Sequence, residues 1–179
     1  GYNYPLLKTG IPFIFMNASG LLSDVETLIH EAGHAVHSVL TKDLPLAAYK
    51  ESPAEVAELA SMSMELLSRD GWDRIFDDRS DKQRAFKEQL EDIILTLPWI
   101  ATIDRFQHKV YENPNATVAE RELIWKDTQE MFSTGIVDFS GYEHFATKNW
   151  QRQLHLFEVP FYYIEYGFAQ LGALAVWRN

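Results

Sequence analysis

Cysteine is absent from the 179 residues. Disulfide scaffolding and thiolate metal ligation are both excluded. Any metal site has to be built from His, Asp and Glu, a donor set that goes with a catalytic site more than with a closed structural one. Positive charge is also scarce: 16 Lys and Arg stand against 26 Asp and Glu, a net charge of −10. No basic stripe offsets that repulsion, so nucleic acid is not an expected partner. Nowhere is there an uncharged apolar run of about 18 residues, so no membrane-spanning helix is expected. The opening "GYNYPLLKTG" lacks the basic start and apolar stretch of a signal peptide. Internal repeats and low-complexity segments are missing too. The expected setting is the cytoplasm.

What is present is a 46% hydrophobic chain, enough for one domain with a sizeable core. It opens on Gly-Tyr and stops at "LGALAVWRN", inside an apolar periodic run with no C-cap. The expectation is a single domain, residues 1–179, that belongs to a longer chain.

The fold class expected is mainly α, with at most a small β element near the N-terminus. Residues 11–16, "IPFIFM", read as a short strand. Ser23 to Glu26 reads as a capping box opening a helix, with an apolar stripe of Val25, Leu28, Ile29, Ala32, Val36, Val39 and Leu40, to about Thr41. A second helix is expected from Ser52-Pro53 to about Arg69. A long helix follows over about 81–111, with Pro98 as a kink. Thr117 and Glu120 form another capping box, opening a helix to about Ser133. Helical stretches are expected over about 142–157 and 161–177.

"LIHEAGHAVHSVL" carries the chemistry. His30 and His34 are four apart on a helix, so both imidazoles leave one face and can reach one ion. Glu31 is rotated about 100° from His30. That makes it a poor ligand for the same ion but well placed to hold a water beside it and take its proton. His37 is one turn on. Three ligands from one straight helix converge poorly on a tetrahedral ion, so His37 is expected to line the pocket or support the ligands.

A third ligand has to come from elsewhere, and "ESPAEVAELASMSMELL" offers Glu51, Glu55, Glu58 and Glu65. With Ser52 as N-cap and Pro53 at the first helical position, Glu55 has a capping role. Glu51 falls in the loop before it. Glu58 lies among Ala57, Leu59 and Ala60 with no cation near in sequence, and a buried carboxylate there needs a partner such as a metal ion. Glu65 is on the same face with Ser61 between them, suited to orienting the His ligands through hydrogen bonds. The alternative is that all four glutamates are simply solvated.

His30-Glu31-Ala32-Gly33-His34, a Glu 24 positions after the second His, and "HLFEVPFYYIEY" resemble the thimet oligopeptidase and oligoendopeptidase F family of zinc metallopeptidases, most closely its bacterial oligoendopeptidase F branch. "GYNYPLL", "PFIFMN", "ELASMSMEL", "FQHKVYENPNAT" and "WQRQLHLFEVPFYYIEYGFAQLGAL" read the same way, so the likeness covers nearly the whole chain. The resemblance implies a helical zincin catalytic domain holding one zinc ion and hydrolysing short peptides in a deep cleft. It implies a third ligand within Glu-x-x-Ser-x-x-x-Glu, which Glu58, Ser61 and Glu65 fit. A rival register, Glu51 to Glu58, has Ala54 where Ser is expected. The metal ligands implied are thus His30, His34 and Glu58, with Glu31 as base. The resemblance further implies a His and tyrosines donating hydrogen bonds to the substrate carbonyl and its oxyanion. His155 and Tyr166 match; Tyr163 shares a helical face with Tyr166, and Tyr162 stays open, with core packing as the alternative for both. "PFIFMN" is either an edge strand for an extended peptide or a core strand. Family members are longer, and their N-terminal half supplies the other cleft wall.

Two readings of other classes compete with a zinc endopeptidase. One is a zinc-stabilised peptide-binding module without turnover, which would have no use for Glu31. The other is a helical interaction domain without metal.

Overall fold

Backbone N–H groups at a helix start need acceptors, and one carboxylate serves three of them before the first long helix. Asp24 Oδ2 accepts from the amides of Ser19, Gly20 and Leu21 at 2.8, 2.6 and 2.8 Å. Helix α1 (Leu22–Thr41) therefore starts on Leu21 as N-cap. The capping box expected at Ser23 does not form, because Ser23 already lies inside the first turn and Asp24 has taken the capping role.

The computed structural model describes residues 1–179. They fall into two compact units: Gly1–Glu91 with Phe168–Asn179, and Asp92–Gly167. The first unit opens with an antiparallel hairpin of β1 (Tyr2–Leu6) and β2 (Ile11–Phe15), paired Tyr2 to Phe15, Tyr4 to Phe13 and Leu6 to Ile11. Strand β2 matches the expected β element; β1 was hidden by Pro5, which stands opposite Pro12 in a ribbon where both strands are edges. Side chains alternate across a strand, so these three pairs share one face, and all six are exposed. Helix α1 packs against both strands.

After a single turn, α2 (Ala47–Lys50), comes α3 (Ala54–Leu67). Its N-cap is Pro53, with no side-chain cap bond, one residue later than expected. The capping role expected of Glu55 is not realised, and Glu55 is exposed. The apolar stripe expected to bury α1 is also displaced. Leu28, Val36, Val39 and Leu40 are exposed, and the buried residues of α1 are Glu31 and Gly33. Leu66 and Trp72 are buried in this unit, and Arg69 lies between the rings of Phe86 and Trp177, 4.4 and 5.1 Å from their centroids.

Helix α4 (Arg79–Glu112) continues through Pro98, where Thr102 Oγ1 donates to the Pro98 carbonyl at 2.8 Å. Helix α5 (Val118–Phe132) begins on the expected box: the Glu120 amide donates to Thr117 Oγ1, and Glu120 Oε2 accepts from the Thr117 amide at 2.7 Å. The helix expected over 142–157 is broken into α6 (Glu143–Ala146), a 3-10 turn at Asn149–Arg152 and α7 (His155–Glu158). Here a tertiary contact competes with helix propagation, since the Ala146 carbonyl accepts from Trp125 Nε1 at 3.0 Å. Helix α8 (Ile164–Arg178) starts three residues late because Phe161 sits at φ 64°, outside any right-handed helix, with its N–H donating to Gln107 Oε1 at 2.7 Å.

Ile103, Phe106 and Trp125 form the core of the second unit, with Trp99, Trp150, Leu156 and Tyr163 packed around them. Trp125 is fully buried and meets Phe106 and Trp99 edge-to-face at 5.1 and 5.7 Å. Trp125→Ala should lower unfolding free energy by about 3–5 kcal/mol, since it opens a large cavity and orphans the Ala146 carbonyl. Urea denaturation followed by circular dichroism measures it, and a loss under about 1 kcal/mol would contradict this core assignment.

Candidate metal centre

A methyl group on Gly33 would lie 2.6 Å from the Cα of Ser61, a distance no real Cβ tolerates. Helices α1 and α3 thus touch backbone to backbone at this point. Ser61 is fully buried and turns its hydroxyl inward, donating to the Glu58 carbonyl at 2.9 Å. The contact lies one residue before His34 and one helical turn after Glu58, so it sets the gap across which those side chains meet.

That gap brings together one ring nitrogen each of His30 and His34 and a Glu58 carboxylate oxygen, all within 4.8 Å of one another. Glu58 Oε2 is 3.4 Å from His30 Nε2 and 3.7 Å from His34 Nε2. A tetrahedral ion with bonds of about 2.0–2.2 Å has ligand-to-ligand edges of about 3.3–3.6 Å, and the two distances from Glu58 Oε2 lie close to that range. The two rings stand edge-on at 4.9 Å, 86° apart. Glu65 Oε1 lies 2.6 Å from His30 Nδ1. A carboxylate only accepts, so the proton belongs on Nδ1 and Nε2 is free to ligate.

The electrostatics favour a cation at this point. Burial disfavours a charged His30, yet the Glu58 and Glu65 carboxylates outweigh it and push its pKa up to about 10. A proton held that firmly occupies the place where a dication would be stabilised by the same two carboxylates. His34, whose chief influence is burial, is shifted down toward the neutral form that binds metal. Glu31 is 6% exposed. Burial raises its pKa, partly offset by the charge of His30 and by the Asn3 main-chain N–H donating to its carboxylate. A cavity of about 350 Å³ opens here, lined by Ser23, Thr27, His30, Glu31 and Glu65 among others. It opens onto Glu31.

The structure thus brings together His30, His34 and Glu58, with Glu65 behind His30 and Glu31 beside it. Glu51 lies outside the group, at the end of α2, and His37 is half-buried on α1. The Asn3 amide had no legible signal, because it is main chain.

In the second unit His155 is packed among tyrosines. Its ring meets Tyr163 edge-on at 5.0 Å and Tyr166 at 5.8 Å, and stacks with Tyr162 at 6.2 Å. The Tyr166 hydroxyl is 3.5 Å from His155 Nε2. Burial raises the Tyr163 pKa, against hydrogen bonds with Trp99 and Gln153. Gln153, whose amide reaches His155 Nδ1 at 2.8 Å, was not singled out by sequence reasoning.

Gly33→Ala should leave the chain folded but weaken metal binding about 10–100-fold, because the added methyl forces α1 from α3 and takes Glu58 away from the histidines. Competition with a chromogenic chelator measures this. Unchanged affinity would mean the helix contact does not set the site.

The sequence pattern of peptidase family M3 matches residues 2–179. An oligoendopeptidase F, chromosomal, from Lactococcus lactis subsp. cremoris is 27% identical over 156 residues, 86% of this chain and 25% of that protein. An oligoendopeptidase F homolog from Lactococcus lactis subsp. lactis is 26% identical over the same share. A crystal structure from Bacillus anthracis str. Ames that bears the name oligoendopeptidase F superposes with a TM-score of 0.79 at 31% identity, covering 99% of this chain and 28% of that one. The chain spans about a quarter of the length of these relatives. With the mainly helical fold, the small hairpin and the His-His-Glu cluster already described, these matches lead to one conclusion: the chain belongs to peptidase family M3.

Proposed function

We propose that this chain is the catalytic domain of a zinc endopeptidase acting on short oligopeptides. The observation that carries the reading is the convergence of one nitrogen each of His30 and His34 and a Glu58 oxygen within 4.8 Å of one another, with the buried carboxylate of Glu31 beside them. These three residues would hold one zinc ion. When bound, the metal supplies Lewis acidity, easing deprotonation of water and polarising a carbonyl.

The remaining chemistry falls to the chain's own residues. Glu31 takes the proton of the attacking water. Its raised pKa suits it to carry that proton briefly and hand it to the leaving amine. Glu65 holds the His30 ring by Nδ1, so that Nε2 keeps its direction. His155 and Tyr166 donate hydrogen bonds to the oxyanion of the tetrahedral intermediate, with Tyr163 or Tyr162 as further donor. Their mutual packing supports treating them as one group. The exposed outer edge of β2 suits an extended peptide backbone. Turnover belongs to a chain of the length seen in the relatives, so assays are best run there.

Glu31→Gln should retain zinc and abolish cleavage, since it removes a base and no ligand. Cleavage of a quenched fluorescent peptide, read beside metal content, tests this. If the variant loses metal as fully as His30→Ala, Glu31 is misassigned. Metal-loaded wild type that binds peptide without cutting it would favour a binding module instead. Tyr166→Phe should keep fold and zinc and slow turnover by roughly 10²–10³; an unchanged rate assigns Tyr166 to packing.

Among the glutamates the expected order is steep. Glu58→Ala should all but eliminate zinc affinity. Glu65→Ala should weaken it about 10–100-fold. Glu55→Ala, at an exposed residue, should leave it unchanged. Zinc titration of the three variants reads the order, and retention of zinc by Glu58→Ala would overturn the ligand set.

A further inference from the structure

Which nitrogen of His155 carries its proton follows from two neighbours that have no assigned role. The Trp99 indole Nε1 can only donate, and it lies 3.3 Å from Gln153 Oε1. That oxygen is therefore an acceptor, which fixes which way the Gln153 amide faces. The amide nitrogen Nε2 is then turned to His155 Nδ1, at 2.8 Å. An amide NH2 has no lone pair to offer, so Nδ1 must accept. The one proton of the neutral ring is left on Nε2, the nitrogen that faces the Tyr166 hydroxyl at 3.5 Å.

We propose that Trp99 and Gln153 are positioning residues that hold His155 in the tautomer with Nδ1 as acceptor and an N–H at Nε2. The inference rests on the reading of His155 as a donor to the oxyanion. Only that tautomer presents a donor at Nε2; the other would aim a lone pair at a developing negative charge. The constraint passes from an indole that cannot accept, through an amide with two unlike ends, to a ring with two unlike nitrogens. All of these groups lie within residues 99–166.

The test is nitrogen NMR of the metal-free protein labelled with 15N-histidine, at about pH 9, where an ordinary imidazole is neutral. His155 signals are assigned by their loss in His155→Asn. In the wild type, Nε2 should resonate as a protonated nitrogen and Nδ1 as an unprotonated one, with this tautomer in at least about tenfold excess, the scale of one buried hydrogen bond. In Gln153→Glu the introduced carboxylate can only accept, so Nδ1 should acquire a proton. In Trp99→Phe the amide is free to turn, and the preference should fall to within a few-fold. A wild-type spectrum with the proton on Nδ1, or Gln153→Glu with Nδ1 still unprotonated, overturns the proposal. Should the variants fail to fold, the wild-type spectrum alone decides it. Peptide cleavage separates this from the underlying reading: His155→Asn at the wild-type rate removes the catalytic role whatever the spectra say, while an inverted tautomer beside a slow His155→Asn removes only the roles of Trp99 and Gln153.

Discussion

The contact between Gly33 and Ser61 is the constraint from which the geometry of the candidate metal centre follows. Two helices meet there without a side chain between them, at a separation that only glycine allows. Each candidate ligand is then a fixed number of residues from the contact, so the helical repeat converts one interhelical distance into three donor positions. Burial follows from the same approach. Glu31 and Glu58 are both 6% exposed, and a desolvated carboxylate is what makes a cation at this place favourable.

The same approach also explains why α1 hides so few large apolar groups. Its face toward α3 is occupied by Gly33 and charged or titratable side chains, and Leu28, Val36, Val39 and Leu40 turn outward instead. A helix that turns titratable groups toward its neighbour cannot use the same stripe as an ordinary core face.

Much of the site was legible because its signals are local. His30 and His34 at i, i+4 and the spacing from Glu58 to Glu65 are properties of helices, whichever residue starts them. The helix starts themselves were less legible. Thr117 and Glu120 gave a true capping box, whereas Ser23 and Ser52 gave the same pattern without the bonds, since Asp24 and Pro53 took those places. The break near His155 was invisible for a different reason. It depends on Trp125 reaching a carbonyl 21 residues away and on Phe161 adopting a left-handed backbone, and periodicity carries no information about either. Strand β1 was hidden by a proline that a two-stranded ribbon tolerates.

The hydrogen bond from the Asn3 main chain to Glu31 has a consequence for how such a site can drift. The donor is an amide that every amino acid but proline possesses, so exchange of the side chain at position 3 leaves it in place, and only proline deletes it. This one contribution to the charge on Glu31 is therefore insensitive to which side chain stands at position 3, whereas burial, the larger influence, is not. Sequence at this position can wander while the main-chain contact persists, and its loss would be signalled by a single residue type.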